Sequence, residues 1–167
     1  MIIKEDNKER PVIVGITGAS GSRLAESLID RLLNLSIPVV AIASSPARMV
    51  WQSEMFESFG ATIERWSSSP YFKLYSNGDF LAPISSGTFP TRGMAIVPCS
   101  MATTAAISIG LADNLIRRSA DVCLKERRPL VLVPRESPLT AIHLENMAKL
   151  ANLGAMILPP EPAFYLH

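Results

Sequence analysis

The chain has 167 residues, 48% apolar and 7% aromatic, which fits one globular domain with a core of ordinary size. Sixteen basic and fifteen acidic residues leave a net charge of +1, which argues against a nucleic-acid-binding surface. The two cysteines suggest neither a metal site nor a disulfide framework, and a cytoplasmic location is expected. Residues 1–10 are expected to form a mobile tail, and no apolar run reaches the length of a membrane span.

The first half of the chain predicts two strands and two helices. Residues 11–17, PVIVGIT, form an apolar run typical of a buried strand, and a helix is predicted through SRLAESLIDRLLNL. Residues 37–43, IPVVAIA, predict a second strand, and PARMVWQSEMFESFG predicts a second helix that Gly60 closes. Residues 61–93 contain turn-rich stretches and are expected to be irregular.

The second half repeats the pattern. Residues 93–98, GMAIVP, predict a third strand, and a helix of small residues follows, giving way to another at about Asn114. The run LVLVP at 130–134 predicts a fourth strand, then an amphipathic helix ends at Gly154 and AMILPP adds a short last strand. Because strands alternate with helices, we expect an α/β fold with a mainly parallel sheet and helices on both faces.

Ligands bind such sheets at the carboxyl ends of the strands, so the residues that follow each strand are candidates for a site. After the first strand, TGASG contains Gly18 and Gly21, and the next helix offers N–H groups to an anion. The second strand ends in Ser44 and Ser45, without the acidic residue that a dinucleotide ribose requires. This combination favours a mononucleotide such as FMN, although a helix cap with a tight turn explains the loop equally well.

Polar residues also follow the third and fourth strands. Ser100, Thr103 and Thr104 place hydroxyls at a helix start, where each suits either capping or a hydrogen bond to a ligand. Arg135 and Glu136 follow the fourth strand. A charged pair at the end of a buried strand is either desolvated, joined in an ion pair or used to bind a ligand or to catalyse a reaction.

A run of cations extends from Arg117 to Arg128. Arg118 and Lys125 lie seven residues apart, two turns of one helix, which suits a phosphate or diphosphate better than a solvated surface. Arg127 and Arg128 are interpreted as cations near a helix C-terminus, where the helix dipole favours them.

The chain resembles a known family in its motifs. GITGASG, SSPAR, ISSGTF, PCSMAT, ADVCLKERRPLVLVPRESP, HLENM and PPEPAFY occur in this order in the UbiX-type flavin prenyltransferases. The resemblance extends from about Pro11 to Tyr165 and implies one flavoprotein domain, residues 11–167, with a Rossmann-like, flavodoxin-related fold. Since the sequence stops at His167, we expect this domain to lack the family's C-terminal helix and to bind a prenyl phosphate more weakly.

The resemblance implies an enzyme that needs no metal. It joins a dimethylallyl group, from the monophosphate or in some members the diphosphate, to N5 and C6 of reduced FMN. The prenylated FMN then serves a UbiD-type decarboxylase in ubiquinone biosynthesis or aromatic acid breakdown. Family members form homo-oligomers, commonly dodecamers, with sites between subunits. Two alternatives stay open: an FMN-dependent decarboxylase of cysteine-derived carboxylates, and a non-catalytic FMN-binding protein.

The resemblance also assigns roles to residues. Those matched to FMN binding are Gly18, Ala19, Ser20, Ser44, Ser86, Ser100, Met101, Ala102, Thr103 and Arg135, with Ser45 as an adjacent register for Ser44. Arg118, Lys125 and Tyr165 match residues that grip the prenyl phosphate, whose charge develops as it leaves. Glu136 matches a proton-handling carboxylate. The expected catalytic residues are therefore Glu136, Lys125 and Ser20, which lies near the reacting N5.

Overall fold

A computed structural model of the chain describes residues 10–161. Of the tail expected at residues 1–10, only Arg10 is described. Tyr165 and the chain end at His167 lie outside the described residues, so the predictions on them stay predictions.

Strands and helices alternate along the described range. The strands are β1 Val12–Ile16, β2 Val39–Ala43, β3 Phe72–Ser76, β4 Gly93–Cys99, β5 Leu130–Pro134 and β6 Met156–Ile157. The helices are α1 Ser22–Asn34, α2 Ser45–Glu54, α3 Phe59–Ser67, α4 Met101–Ser108, α5 Leu115–Lys125 and α6 Ala141–Asn152, with a short 3-10 helix at Pro83–Ser85.

The strands form a single sheet in the order β3-β2-β1-β4-β5-β6, and every neighbouring pair is parallel. Val12 at the start of β1 lies in register with Val39 of β2 on one side and Gly93 of β4 on the other. The strand order reverses between β1 and β4, and a crevice opens at such a point in α/β sheets. The predicted three-layer, Rossmann-like α/β fold is confirmed.

Alternate residues of the strands face two separate cores, as the pleat requires. Ile13 of β1 and Ile96 of β4 face the side that α5 covers and are buried with Ile116. Val14, on the opposite face, is buried with Ile29 of α1 in the core that also includes the tryptophans of α2 and α3. Because both faces are covered, the central strands are continuous apolar runs.

The single helix predicted to end at Gly60 is two helices. The first ends at Glu54, and the residue that follows it, Met55, has an extended backbone. Ser58 caps the second helix by accepting a hydrogen bond from the Ala61 N–H at 3.2 Å. Gly60 lies within α3 rather than at a helix end. The turn is stabilised by Trp51, whose indole N–H donates to the Glu57 carbonyl at 3.2 Å.

Residues 61–93 are also more regular than expected. They contain the rest of α3 and the edge strand β3, which pairs with β2 from Phe72 to Ser76. Each residue of β3 keeps some exposure, and Lys73 interrupts the apolar residues of FKLYS. An edge strand of this kind has no continuous apolar run, which explains why the sequence signal was weak.

Candidate functional site

A crevice of about 400 Å³ opens at the carboxyl edge of the sheet, beside the point where the strand order reverses. Its walls are formed by Thr17, Gly18, Ser44, Ser45, Pro46, Asn77, Ser100, Ala102, Thr103, Asn114, Ile116 and Arg117. Of the ten residues matched to FMN binding, five therefore line one space: Gly18, Ser44, Ser100, Ala102 and Thr103. They come from the loops after β1, β2 and β4, as the strand-end rule predicts.

Thr17 joins the loops that follow β1 and β4. Its hydroxyl donates to the Pro98 carbonyl at 2.9 Å and accepts from the Ser100 N–H at 2.7 Å. The residue is only 3% exposed, so both bonds are shielded from water. The spacing between the first and third loops is thus set by one buried side chain.

Gly18 brings the first loop close to the start of α2. A Cβ added at Gly18 would lie 2.5 Å from the Cβ of Pro46, a distance that real side chains do not reach. Glycine therefore serves close packing here, and a larger residue would separate the two loops.

Two serines of the crevice, Ser44 and Ser100, are helix caps. Ser44 accepts from the Ala47 N–H at 3.2 Å and begins α2. Ser100 accepts from the Thr103 N–H at 3.3 Å and donates to the Thr103 hydroxyl at 3.1 Å. Thr104 is 1% exposed and donates to the Ser100 carbonyl, so it is structural. The capping role expected among Ser100, Thr103 and Thr104 is confirmed for Ser100. Capping holds the oxygens of Ser44 and Ser100 at the crevice wall.

The start of α1 differs from the prediction. We expected its N–H groups to be available to a bound anion, but the Glu54 carboxylate occupies them. Oε2 of Glu54 accepts from the Gly21 N–H at 3.0 Å and from the Ser22 N–H at 2.8 Å. The last residue of α2 thus supplies the anion that the positive end of the α1 dipole favours.

Glu54 also contacts Ser20, the residue matched to the reacting end of the flavin. Burial opposes ionisation of the Glu54 carboxyl, but hydrogen bonds from the Ser20 side chain and from the Ser22 and Gly21 N–H groups outweigh it. The pKa of Glu54 falls from 4.5 to about 2. A carboxylate that is ionised at neutral pH therefore lies beside Ser20. Sequence reasoning missed Glu54 because it ends a helix rather than a strand.

Arg135 and Glu136 lie at the same edge of the sheet but do not line the crevice. The Arg135 N–H donates to the Cys99 carbonyl at 3.3 Å, which places it beside the end of β4. Glu136 Oε1 accepts from the Ser137 N–H at 3.1 Å. Both side chains are exposed, and no ion pair joins them among the described residues. Arg135 and Glu136 are therefore neither desolvated nor paired with each other.

Arg118 lies over the loop that contains Ser86. Its Nε donates to the Ser85 carbonyl at 2.9 Å, and Nη1 pairs with Asp121 at 2.8 Å. Ser86 itself shares a hydrogen bond with the Thr88 hydroxyl at 2.9 Å. This loop contacts α5 and lies away from the crevice.

Lys125 lies at the far end of the molecule from Glu136. Lys125 ends α5, at the side of the sheet where β5 begins, whereas Arg135 and Glu136 follow the end of β5. Five residues of extended strand span roughly 16 Å. The ammonium group of Lys125 pairs with its neighbour Glu126. One copy of the chain therefore does not bring Lys125 to the flavin loops or to Glu136.

Arg128 is structural, as predicted. Its guanidinium donates to the carbonyl of Gly87 at 2.5 Å and to that of Phe89 at 2.7 Å, and so holds this loop. A larger cavity of about 520 Å³ lies nearby, between Leu124 and Met156. It contains none of the residues matched to flavin or prenyl-phosphate binding.

Residues 10–161 contain neither a metal-binding cluster nor a membrane-spanning helix. No group of three or more His, Cys, Asp or Glu side chains is placed to hold a metal ion there. Within the same residues, no helix has the length and apolar character needed to cross a bilayer.

The crevice has the donor set that a flavin mononucleotide requires. Hydroxyls and backbone N–H groups at the start of α4 suit a phosphate and a ribityl chain. Gly18 allows close approach of backbone to backbone, and the pocket volume lies in the range of small-molecule sites. The residues present therefore fit FMN.

Comparisons with known proteins agree with this geometry. The family model described as Flavoprotein matches residues 2–166. The flavin prenyltransferase UbiX of Chlamydia pneumoniae is 49% identical over 154 residues, which cover 92% of this chain and 80% of that protein.

Two solved structures are similar over most of the fold. The crystal structure of AnUbiX (PadA1) in complex with FMN and dimethylallyl pyrophosphate has a TM-score of 0.88 and 42% identity, covering 94% of this chain and 81% of that one. The dodecameric FMN-dependent UbiX-like decarboxylase from Escherichia coli O157:H7 also has a TM-score of 0.88 and 42% identity, covering 94% and 84%.

The fold and the crevice define the class as a flavin-binding α/β protein. The chain belongs to the flavoprotein family and, within it, to the UbiX-type flavin prenyltransferases, which confirms the resemblance seen in its motifs. It is an enzyme of the prenyltransferase type.

Proposed function

We propose that the chain joins the dimethylallyl group of dimethylallyl monophosphate to N5 and C6 of reduced FMN and releases prenylated FMN. One observation carries the proposal: the crevice at the switch point of the sheet is lined by five of the residues that the family motifs match to FMN binding. The prenylated flavin would serve a UbiD-type decarboxylase in the cytoplasm.

The chain's own residues first hold and orient the flavin. The caps Ser44 and Ser100 present hydroxyls, and the start of α4 presents N–H groups. Thr17 keeps these loops at a constant spacing. Bound FMN, when reduced, supplies the electron-rich ring that accepts the allyl group. Ser20 and the ionised Glu54 lie together at the neighbouring loop, where they can orient and hydrogen-bond to the reacting edge of that ring.

The leaving phosphate requires cations, because negative charge builds up on it as the allylic C–O bond breaks. Arg118, Lys125 and Tyr165 are assigned this role. Arg118 and Lys125 are paired with Asp121 and Glu126, carboxylates close in sequence, and at least Lys125 is remote from the crevice of its own chain. Lys125 therefore acts on the flavin site of a neighbouring copy, and Arg118 is assigned to the same phosphate.

An assembly of several copies agrees with the apolar surface of one copy. Large apolar side chains are strongly exposed on several elements, namely Met49, Phe56, Leu81, Ile109 and Ile142, with exposures from 68 to 112%. Scattered exposed apolar residues are common, but five large apolar side chains exposed by two thirds or more favour contact surfaces. The similar structure from Escherichia coli is a dodecamer. We propose a homo-oligomer of the same kind for this chain.

Glu136 is assigned the proton transfer. It follows β5 at the edge where the crevice opens, and it is exposed in one copy, so it is accessible to a ligand bound between copies. A carboxylate in that place can take a proton from the flavin and give one to the departing phosphate. Arg135 beside it supplies a cation for the flavin.

The proposed reaction is tested by mass spectrometry. We expect anaerobic incubation with reduced FMN and dimethylallyl monophosphate to yield a flavin heavier by one C5H8 unit. Dimethylallyl diphosphate in a parallel incubation establishes the preferred donor, and samples without the donor give the background. If FMN binds but keeps its mass while a UbiX relative reacts under the same conditions, the chain is a non-catalytic flavin-binding protein and the proposal is wrong.

A further inference from the structure

Arg117 is a cation of the crevice to which the family motifs assign no role. Among the described residues that line this space, it is the only ionisable one, since the others are hydroxyl-bearing, amide or apolar. It occupies the first turn of α5, and only 19% of its side chain is exposed. A guanidinium shielded to this degree at a ligand cavity needs an anionic partner.

The partner within the chain is Asp113, and it satisfies only part of the guanidinium. Arg117 Nη1 donates to Asp113 Oδ1 at 2.7 Å. An arginine side chain has five N–H donors, and a phosphate accepts from several of them at once. Asp113 is 51% exposed, so water screens the ion pair and weakens it. A dianionic ligand in the crevice can therefore compete for Arg117.

Other donors that could hold a phosphate are already in use. Glu54 occupies the N–H groups at the start of α1. Asn77 occupies those at the start of α5: its carbonyl accepts from the Leu115 N–H at 2.8 Å and its Oδ1 from the Ile116 N–H at 3.2 Å. At the start of α2, Pro46 has no N–H group and the Ala47 N–H donates to Ser44 Oγ. At the start of α4 the Thr103 N–H donates to the Ser100 cap, and Ala102 lines the crevice together with Arg117.

Arg117 and Arg118 are neighbours in sequence but have different surroundings. Successive residues of a helix project about 100° apart, so adjacent side chains face different elements. Arg118 reaches the Ser85 carbonyl, on the loop away from the crevice, whereas Arg117 lines the crevice. One turn of α5 thus carries two cations that can serve two different phosphates.

We infer that Arg117 binds the phosphate of FMN together with the N–H groups at the start of α4, with Asp113 as its partner when the flavin is absent. The inference rests on the proposed function, because it takes FMN as the ligand of the crevice. It separates the anion sites of the reaction: Arg117 holds the flavin phosphate, and Arg118 with Lys125 holds the prenyl phosphate.

The test compares FMN with riboflavin, which has the same ring and ribityl chain but no phosphate. Both flavins are titrated into the wild type, Arg117→Gln and Arg117→Lys, with binding followed by calorimetry. We expect Arg117→Gln to weaken FMN binding about 10-fold, the usual range for a lost charged hydrogen bond, and to change riboflavin binding less than about 2-fold. Arg117→Lys keeps the charge and should recover part of the loss.

The control variant is Arg23→Gln. Arg23 also pairs with a nearby carboxylate, Glu26, but it is 78% exposed on α1 and outside the crevice. It should leave the affinities for both flavins unchanged. We also expect higher salt to weaken FMN binding more in the wild type than in Arg117→Gln.

Each of the following results would overturn the inference. Equal losses for FMN and riboflavin would make Arg117 a structural residue, and an unchanged FMN affinity would remove it from the site. If the wild type binds no FMN at all, the proposed function fails with it. If the wild type binds and prenylates FMN but Arg117→Gln keeps full preference for FMN over riboflavin, this inference alone is wrong.

Discussion

The crevice and the cation pair on α5 hold their polar groups in different ways. Two contacts between distant elements hold the loops around the crevice: Thr17 binds Ser100 across 83 positions at its wall, and Glu54 binds Ser22 across 32 at the neighbouring loop. On α5, Arg118 and Lys125 pair with acids one to three positions away. The crevice is therefore preorganised within one copy. The cation pair is only neutralised locally, and it stays available to a ligand that a second copy holds.

The largest expected effect on the rate comes from two variants, one that removes a residue of the cation pair and one that removes the proton-transfer residue at the carboxyl edge of the sheet. Lys125→Gln and Glu136→Gln should each lower the rate of prenylated FMN formation at least about 100-fold. Lys125→Gln removes a cation that stabilises the leaving phosphate, and Glu136→Gln removes the group that transfers the proton. Co-expressing the two variants should restore activity. If each site takes Lys125 from one copy and Glu136 from another, random mixing restores about a quarter of the sites.

The co-expression result distinguishes sites built between copies from sites within one. Separately purified variants that are mixed only in the assay serve as the control, since their subunits have no chance to exchange during assembly. Recovery near zero in co-expressed samples that contain both variants would mean that one copy supplies both residues. The division between the two regions would then be wrong.

A smaller effect is expected from Thr17, which holds the crevice together. Thr17→Val keeps the shape of the side chain but removes the hydroxyl, so the Pro98 carbonyl and the Ser100 N–H lose a buried partner. We expect a loss of about 1–3 kcal/mol in the free energy of unfolding, measured with urea, and weaker FMN binding. Thr17→Ser retains the hydroxyl and should stay close to the wild type in both measurements.

The smallest effect concerns the anchor at the start of α1. The pKa of Glu54 is about 2 in the folded chain and near 4.5 when unfolded, so its ionised form stabilises the fold above pH 4.5. This contribution is lost as the pH falls from 4.5 towards 2. Glu54→Gln lacks it at every pH, and the difference in free energy of unfolding between wild type and variant should therefore shrink over that range.

Glu64→Gln provides the comparison for Glu54. Glu64 lies on the exposed side of α3, and none of the hydrogen bonds at the start of α1 involves it. Its unfolding curves should follow the wild type across the same pH series. A constant difference between wild type and Glu54→Gln from pH 6 to pH 3 would show that the carboxylate does not anchor α1.

The central strands could be predicted from sequence to within about two residues at each end. β1, β2, β4 and β5 are buried on both faces, so they appear as unbroken apolar runs. The edge strand β3 was missed because it is half exposed and has no continuous apolar run. The break between α2 and α3 was missed because Gly60 was interpreted as the end of one helix, whereas Ser58 caps a new helix that contains Gly60.

The residues of the candidate site also fall into those that could be predicted from sequence and those that could not. Gly18, Ser44 and Ser100 could be found because parallel strands place their carboxyl ends at one edge of the sheet, and sequence shows where strands end. Glu54 and the position of Arg117 could not, since both depend on how a helix lies against a loop far away in the chain.

Sequence alone thus determined the α/β class, the family and the loops that form the crevice, because apolar runs and family motifs are local properties. Tertiary structure decided which charges meet. It placed Glu54 at the start of α1, Arg117 in the crevice and Lys125 at the opposite end from Glu136. The reason is physical, because electrostatic interactions depend on distances in space. The packing of helices and strands sets those distances, and the number of residues between two charges on different elements does not reveal them.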